Sequence, residues 1–112
     1  MNFTKETKTN CTIIHSNVDK LDSSNSAELK SELLVINKNS INTIILDLSK
    51  TKYCDSSGLS AILIGNRLCK DANGVFSIAG LQSNVYKLIQ ISQLDKVLSI
   101  HDSVESAEKA LL

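Results

Sequence analysis

A strand-like segment and a helix-like segment meet at one short turn in the middle of the chain. Residues 41–48 read INTIILDL, a short apolar run rich in β-branched residues, and residues 57–72 read SGLSAILIGNRLCKDA. The first pattern favours a strand, whereas the second segment is long enough and apolar enough for a helix. Residues 53–56 between them read YCDS. A strand that leads directly into a helix is a building unit of an α/β sheet, so this turn constrains the fold more than any other feature.

The rest of the chain continues this alternation of strands and helices. A first helix is predicted to have Ser23 or Ser24 as its cap and to end near Asn37. The other predicted helices are residues 57–72, 83–91 and 103–112, and the predicted strands are residues 3–8, 11–15, 41–48, 75–79 and 97–100. This order predicts a single α/β domain over residues 1–112, with a mixed, mostly parallel sheet of roughly four to five strands and about four helices.

Ser56 and Ser57 are placed at the N-terminus of the predicted central helix. The first N–H groups of a helix have no partner inside the helix, and the helix dipole makes this end positive. A hydroxyl at such a position can cap the helix, lie beside a bound phosphate or carry one. Asp55 either contacts a partner, shapes the loop by accepting backbone N–H bonds, or caps the helix if the helix starts one residue early. The residues alone leave these alternatives open.

The turn and one further segment resemble a known family. Residues 55–59, DSSGL, follow a hydrophobic strand and resemble the corresponding motif of the STAS domain, most closely that of bacterial anti-sigma factor antagonists. Residues 21–30, LDSSNSAELK, are similar to the leucine-aspartate segment that leads into the first helix of that family. The resemblance implies that Ser56 is phosphorylated by a partner, an anti-sigma factor with serine kinase activity, and that Asp22 lies near the same surface.

Two leucines of the predicted central helix do not fit its apolar face. At 100° per residue, Leu59 and Leu63 fall among polar residues such as Asn66, beside the direction in which Ser56 points. Either another loop covers them, or they are isolated exposed residues, or they form the apolar centre of a partner-binding patch. With the family resemblance, we expect the patch. The predicted partner-binding residues are Asp22, Asp55, Ser56, Ser57, Gly58, Leu59, Ser60, Leu63 and Arg67, and the predicted sheet-facing residues are Ala61, Ile62, Ile64, Gly65, Leu68, Cys69 and Ala72.

Composition argues against several classes of function. Lys and Arg together number 12, as do Asp and Glu, so no basic excess points to nucleic acid. No apolar run approaches the ~20 residues of a membrane helix. The first five residues, MNFTK, lead into polar residues and do not resemble a signal peptide. We therefore expect a cytoplasmic protein that neither binds nucleic acid directly nor inserts into a membrane.

The cysteines and histidines do not suggest a metal or cofactor site. Cys11, Cys54 and Cys69 lack metal-ligand spacing, and reduced thiols are expected in the absence of a secretion signal. Cys54 lies beside the turn, where a helix N-terminus would lower the pKa of a thiol, although burial as a structural residue is the simpler expectation. Neither His15 nor His101 stands at ligand spacing from a cysteine or carboxylate, so we predict no metal site.

A hydrolase is the enzyme alternative. A serine at a strand-to-helix turn is similar to a hydrolase nucleophile, with His101 as its base, but Cys54 stands where the Gly-x-Ser-x-Gly motif needs its first glycine. We predict no catalytic residue and no cofactor.

The predicted function is a phospho-switch. The resemblance implies that the dephosphorylated chain binds an anti-sigma factor with serine kinase activity, so that a sigma factor is released. It also implies that phosphorylation of Ser56 ends the binding and that a phosphatase restores it. The alternative is a constitutive STAS scaffold or accessory subunit of a larger complex, such as a lipid-transport ATPase assembly.

Overall fold

Strands and helices alternate in the computed structural model, which describes residues 1–112. The strands are β1 (Phe3–Thr7), β2 (Thr12–Ser16), β3 (Lys20–Leu21), β4 (Thr43–Asp47), β5 (Tyr53–Cys54), β6 (Val75–Ala79) and β7 (Ser99–His101). The helices are α1 (Ser26–Lys38), α2 (Ser56–Asp71), α3 (Ser83–Ile91) and α4 (Val104–Lys109), and a 3₁₀ turn covers Leu94–Lys96. The predicted fold class, an α/β fold with a mostly parallel mixed sheet, is confirmed.

Five of the strands form one sheet, in the order β1-β2-β4-β6-β7. β1 runs antiparallel to β2 through a tight turn, in which the amide of Lys8 donates to the carbonyl of Cys11 at 2.8 Å. The other neighbouring pairs in this sheet are parallel. Parallel neighbours need a crossover connection, and α1, α2 and α3 lie in the three crossovers.

Alternate residues of each strand point to opposite faces of the sheet, and the two faces have cores of different size. Ile44 and Ile78 belong to a core of 18 buried residues that includes side chains of α1, α2 and α3. Ile13 and Ile45 point the other way and join a cluster of five buried residues, to which α4 contributes Ala107. Each fully buried Ile or Leu contributes about 1.5–3 kcal/mol. The large core therefore supplies most of the stabilisation and fixes the position of α2.

A second, two-stranded sheet is not predicted by the sequence pattern. β3 and β5 pair in parallel, with Lys20 beside Tyr53 and Leu21 beside Cys54. Strands of two residues are too short to show a periodic pattern, which is why the sequence does not reveal them. Their pairing brings the segment before α1 next to the turn before α2.

Two buried hydroxyl groups tie the connections that lead into this small sheet. Ser16 Oγ lies 2.7 Å from Thr51 Oγ1, and the Thr51 hydroxyl donates to the carbonyl of Val18 at 2.8 Å. Ser16 and Thr51 are both buried. The chain leaving β2 and the chain leaving β4 are thus held together before they reach β3 and β5, respectively.

The last strand and helix differ in their bounds from the prediction. The strand predicted at residues 97–100 lies at Ser99–His101. The amides of Val97 and Leu98 both donate to the carbonyl of Leu94, so these two residues close the 3₁₀ turn and do not join the strand. The final helix is α4, which begins after Ser103 and ends at Lys109 instead of at the last residue.

Candidate functional site

Asp55, and not a serine, caps the helix at the central turn. The Asp55 Oδ1 atom accepts a hydrogen bond of 3.0 Å from the backbone N–H of Gly58. Of the roles left open for Asp55, capping is therefore the one observed. Ser56 is the first residue of α2 and is exposed. The predicted placement of Asp55 before the helix and of Ser56 at its start is confirmed, and the Ser56 hydroxyl has no capping role.

Gly58 allows the first turn of α2 to lie against β3. A Cβ atom at this position would overlap the carbonyl oxygen of Leu21 and would lie 2.8 Å from the sulfur of Cys54. The same Leu21 carbonyl accepts a hydrogen bond of 3.1 Å from the amide of Asp55. The close approach requires glycine, so Gly58 contributes to the site by positioning Ser56.

Asp22 forms its own hydrogen-bonded turn before α1. Its Oδ1 atom accepts hydrogen bonds from the Ser24 hydroxyl at 2.6 Å and from the Ser24 amide at 3.0 Å. These two bonds, the hydroxyl first, hold the pKa of the Asp22 carboxyl below its usual range. The Ser24 hydroxyl is therefore occupied in the turn and does not cap α1.

Asn25 precedes α1, which begins at Ser26, so the prediction that Ser23 or Ser24 caps this helix is wrong. The Asn25 side chain accepts a hydrogen bond of 3.0 Å from the Asp22 amide and donates one of 2.8 Å to the carbonyl of Lys20. The sequence carries a signal that identifies this residue, because asparagine is among the residues most favoured just before a helix. Through these two bonds, Asn25 holds Asp22 in place.

Asp22 and Asp55 line one open groove directly before Ser56. The groove measures about 400 Å³, and its remaining lining residues are Lys20, Leu21, Tyr53 and Cys54. The ammonium group of Lys20 lies 5.9 Å from the centre of the Tyr53 ring, within the range of a cation–π contact. The structure therefore brings together the two segments in which the sequence resembles one family.

The predicted exposure of Leu59 is wrong. Leu59 is only 8% exposed and belongs to the large core, and Leu63 is half-buried against the same core. Leu59 therefore cannot form the centre of an exposed apolar patch. Of the three explanations open from the sequence, cover by another loop comes nearest, but the structure places Leu59 in the large core.

The orientation of α2 differs from the prediction because two elements cover the helix. A Cβ atom at Gly65 would lie 2.6 Å from the Phe76 ring of β6 and 3.2 Å from Leu33 of α1. The buried side of α2 therefore faces both the sheet and α1, and it extends to Leu59 and to Asn66, which is also buried. A helical wheel that assumes one covering surface places both residues on the wet side.

The predicted partner-binding residues divide by exposure. Ser60 and Arg67 are exposed, and they lie with Ser56 on one side of α2, which together with Leu63 we call the α2 face. The exposed members of the predicted set are Asp55, Ser56, Ser60 and Arg67, the half-buried members are Asp22, Ser57 and Leu63, and the buried members are Gly58 and Leu59. The α2 face and the groove form one candidate contact surface, supported from beneath by the two buried residues.

Comparison with known proteins decides the family. The family model of the STAS domain matches residues 2–107. The chain belongs to the STAS domain family. Over 64 residues it is 31% identical to the anti-sigma F factor antagonist of Paenibacillus polymyxa, a match that covers 57% of this chain and 55% of that protein. The aligned region thus spans about half the length of that relative.

Solved structures share the fold of this STAS domain. An anti-sigma-factor antagonist (STAS) domain protein from Planctomyces limnophilus superposes with a TM-score of 0.86 at 17% identity, covering 98% of this chain and 97% of that one. The Bacillus cell fate determinant SpoIIAA in its phosphorylated form superposes with a TM-score of 0.77 at 19% identity, covering 98% and 99%. At these identities the likeness establishes the fold alone. None of the helices of the STAS domain has the length and apolar character needed to cross a membrane.

Burial makes the thiols of this STAS domain poor nucleophiles. Burial, with a smaller contribution from the neighbouring Asp55 carboxylate, raises the pKa of Cys54 to about 12. Burial likewise raises the pKa of Cys69 to about 11, and it is the main reason that the pKa of Cys11 is raised. Only the thiolate reacts readily, so the structure favours the structural role of Cys54 over the reactive one.

A polar cluster on the opposite face of the sheet is not evident from the sequence. His15 Nδ1 lies 2.7 Å from Asp47 Oδ2, and His15 Nε2 lies 3.0 Å from Glu6 Oε1. His15 therefore has two carboxylate partners, although the sequence spacing suggests none. Parallel pairing of β2 with β4 places His15 beside Asp47. Polar residues at matching ends of two apolar strands are the signal that identifies such a pair once strand order is known.

Proposed function

We propose that this STAS domain is an anti-sigma factor antagonist whose binding is switched by phosphorylation of Ser56. The observation that carries the proposal is the exposed Ser56 at the start of α2, whose hydroxyl has no capping role because Asp55 caps the helix. Two relatives support it, since one is named an anti-sigma F factor antagonist and SpoIIAA has been solved in a phosphorylated form. In the dephosphorylated state the domain binds an anti-sigma factor with serine kinase activity, and a sigma factor is released.

The proposed contact surface combines the α2 face with the groove beside it. Ser56, Ser60 and Arg67 are exposed along α2, and Asp22 and Asp55 line the groove. This mixture of hydroxyl groups and both signs of charge, beside a groove lined in part by Leu21 and Tyr53, fits a complex that forms and dissociates. Leu59 contributes from the core by fixing the first turn of α2, and not as a contact residue.

Phosphorylation places new charge at the centre of this surface. A phosphate adds about 1.5–2 negative charges, next to the carboxylate of Asp55. In the free domain, the N-terminus of α2 favours an anion, so the modified protein stays folded. In the complex, the same charge loses its water without gaining a partner. Leaving one charge unpaired at a buried contact costs on the order of 3–5 kcal/mol, which corresponds to roughly a hundredfold or greater loss of affinity.

Ser56, and not Ser57, is the proposed phosphate acceptor. Ser56 is exposed, whereas Ser57 is half-buried at the next position of the helix. A kinase must reach the hydroxyl oxygen in line with the transferred phosphoryl group, which favours the exposed residue.

We infer a binding role for the domain itself, with the catalysis supplied by its partners. The kinase and a phosphatase that removes the phosphate from Ser56 are both cytoplasmic partners in this proposal. The Cys54 thiol, which lines the groove, is protonated at neutral pH, and this argues against cysteine catalysis by the domain. The proposal requires no cofactor and no nucleic acid.

The test compares three forms of the protein against one partner. Ser56→Ala, which blocks phosphorylation and keeps the interaction, is used to isolate the partner from native cells, and the recovered protein is then expressed and purified. Calorimetric titration should give similar affinities for unmodified protein and Ser56→Ala, and an affinity at least about a hundredfold lower for protein phosphorylated at Ser56. Ser57→Ala is the matched control, and it should accept phosphate and lose affinity as the unmodified protein does.

Equal affinities of the unmodified and phosphorylated forms would contradict the switch. That result, together with recovery of a transporter ATPase subunit instead of an ATP-binding kinase, would support the constitutive scaffold. Phosphate on Ser57 in place of Ser56 would show that exposure does not select the acceptor.

A further inference from the structure

We propose that His15 is held as an imidazolium between Asp47 and Glu6, and that loss of its proton releases Glu6 and loosens the edge strand β1. The cluster joins three neighbouring strands, because Glu6 lies in β1, His15 in β2 and Asp47 in β4. This inference does not depend on the proposed function.

The two contacts of His15 require a proton on each ring nitrogen. An ionised carboxylate only accepts hydrogen bonds, and a neutral imidazole has a single N–H group. Carboxylate oxygens lie 2.7 Å from Nδ1 and 3.0 Å from Nε2, so both contacts are hydrogen bonds only if His15 carries two protons. A neutral ring would set a nitrogen lone pair against one of the two carboxylates.

The contact with Glu6 is the one that a neutral His15 gives up. The Asp47 side chain is 15% exposed and makes the shorter contact, whereas the Glu6 side chain is 48% exposed. Asp47 is also fixed by the Ser49 amide, which donates to its Oδ1 atom at 3.0 Å. Glu6 has an alternative partner in Lys8, at 3.3 Å from its other oxygen. A neutral His15 therefore keeps its proton on Nδ1 and leaves Glu6 to Lys8 and water.

The charged groups around the cluster favour the cation. Asp102 and Glu105 line the same cleft as Asp47, and Lys8, which pairs with Glu6, is also attracted by Glu108 of α4. The hydrogen bond to Glu6 first, and then that to Asp47, raise the pKa of His15 above its ordinary value of 6.5. His15 and then Lys8 hold the pKa of Glu6 below 4.5. Although burial favours its protonated form, hydrogen bonds from Ser49 and His15 hold the pKa of Asp47 below 3.8.

The direction in which folding shifts each pKa defines the pH range over which the cluster stabilises the protein. A group whose pKa is raised on folding stabilises the protein fully below its unfolded value, and this contribution is lost as the pH rises through the folded value. The stabilisation from His15 is therefore complete below pH 6.5 and is lost as the pH rises through the raised pKa of the folded protein. The stabilisation from the carboxylates is complete above pH 4.5 and is lost as the pH falls through their lowered pKa values. The cluster thus stabilises the sheet fully between these two values.

Urea unfolding at a series of pH values from about 5 to 8.5 tests the inference. The unmodified protein should lose stability as the pH rises above 6.5, with the folding equilibrium constant falling about tenfold for each unit by which folding raises the His15 pKa. His15→Gln should flatten this fall. His101→Gln is the matched control, because it replaces the other histidine in the same way, and it should keep the fall. The same pH profile for His15→Gln and His101→Gln would overturn the proposal.

Nuclear magnetic resonance gives a second test that works on the unmodified protein. The His15 ring should titrate above 6.5, and at high pH its nitrogen shifts should show the tautomer with the proton on Nδ1. The exposed substitution Glu6→Gln should move the titration to lower pH while leaving that tautomer in place. A ring that titrates at or below 6.5, a proton on Nε2 at high pH, or no effect of Glu6→Gln would each contradict the proposed arrangement.

Discussion

The N-termini of α2 and α4 begin with the same dipeptide but use its serine differently. At α2, the aspartate of Asp55-Ser56 is the cap, and the serine is the first helical residue. At α4, the serine of Asp102-Ser103 is the cap, and its hydroxyl oxygen accepts a hydrogen bond of 3.1 Å from the Ser106 amide. The helix start is displaced by one residue between the two sites. That displacement decides whether a serine hydroxyl supports the helix or remains available for chemistry.

The residues that follow each dipeptide explain the displacement. The third residue of α4 is Ser106, whose hydroxyl accepts a hydrogen bond of 3.2 Å from the Ser103 amide and completes a reciprocal capping box. The third residue of α2 is Gly58, which has no side chain to reciprocate and instead lets β3 approach. The Leu21 carbonyl of β3 then accepts a hydrogen bond from the Asp55 amide. The neighbouring strand therefore performs at α2 the role that a serine performs at α4.

The largest expected effect on stability concerns the buried residue at the end of the first turn of each helix, which anchors the helix in its core. Leu59 and Ala107 occupy equivalent fourth positions and are both buried. Leu59→Ala should lower the free energy of unfolding by about 2–5 kcal/mol because it leaves a cavity in the large core. Leu63→Ala, at a half-buried position of the same helix, is the matched control and should cost clearly less. Urea unfolding measures both, and equal costs would show that Leu59 is not the anchor.

A side chain at the third position of α2 should have the next largest effect. Gly58→Ala places a Cβ atom against the Leu21 carbonyl, which forces β3 and α2 apart and should cost about 1–3 kcal/mol. The control is Ser106→Ala, which removes a hydroxyl at the same position of α4 without adding volume. If Gly58→Ala leaves the unfolding midpoint unchanged, the close approach of β3 does not determine the start of α2.

Alanine substitution of the aspartate and of the serine should change stability in opposite orders at the two helices. Asp55→Ala should cost about 1 kcal/mol because the cap of α2 is lost, whereas Ser56→Ala should cost only a few tenths. At α4 the order reverses, so that Ser103→Ala should cost about 1 kcal/mol and Asp102→Ala little. Thermal unfolding of the four variants checks this crossed pattern. A larger loss for Ser56→Ala than for Asp55→Ala would mean that the Ser56 hydroxyl is engaged in the cap.

The smallest expected effect concerns the reactivity of the Cys54 thiol and not the stability of the fold. Cys54 lies directly before the cap of α2, and burial raises its pKa to about 12, so the dipole at this helix start does not activate it. An alkylating reagent at about pH 8 should modify Cys54 in folded protein far more slowly than in urea, as followed by intact mass. Rapid modification of Cys54 in the folded protein would show that the first turn of α2 opens readily.

The sequence predicts those parts of the molecule that depend on local pattern. Alternating apolar runs predict the α/β fold, and the segment around residues 53–59 predicts a strand-to-helix turn with Ser56 at the N-terminus of the helix. Patterns within one helix cannot reveal how many elements cover it, which is why Leu59 is placed wrongly. The sequence does not predict that Asn25 directly precedes α1, because Asp22 accepts hydrogen bonds from Ser24. Sequence spacing alone does not show this contact within the turn. The partners of His15 lie on other strands, and strand order is a property of the whole chain.

The outermost strand described above also bears on how separate copies of the chain meet. β1 and β7 are the two edges of the five-stranded sheet, and an open edge is a template on which another chain can add a strand. β1 carries Lys5, which pairs with Glu32 of α1 at 3.0 Å, and the exposed Glu6. β7 is only three residues long. Because the formal net charge is zero, long-range repulsion does not keep copies apart. Whether two copies pair along a sheet edge therefore depends on where the charges stand on that edge, and not on the net charge.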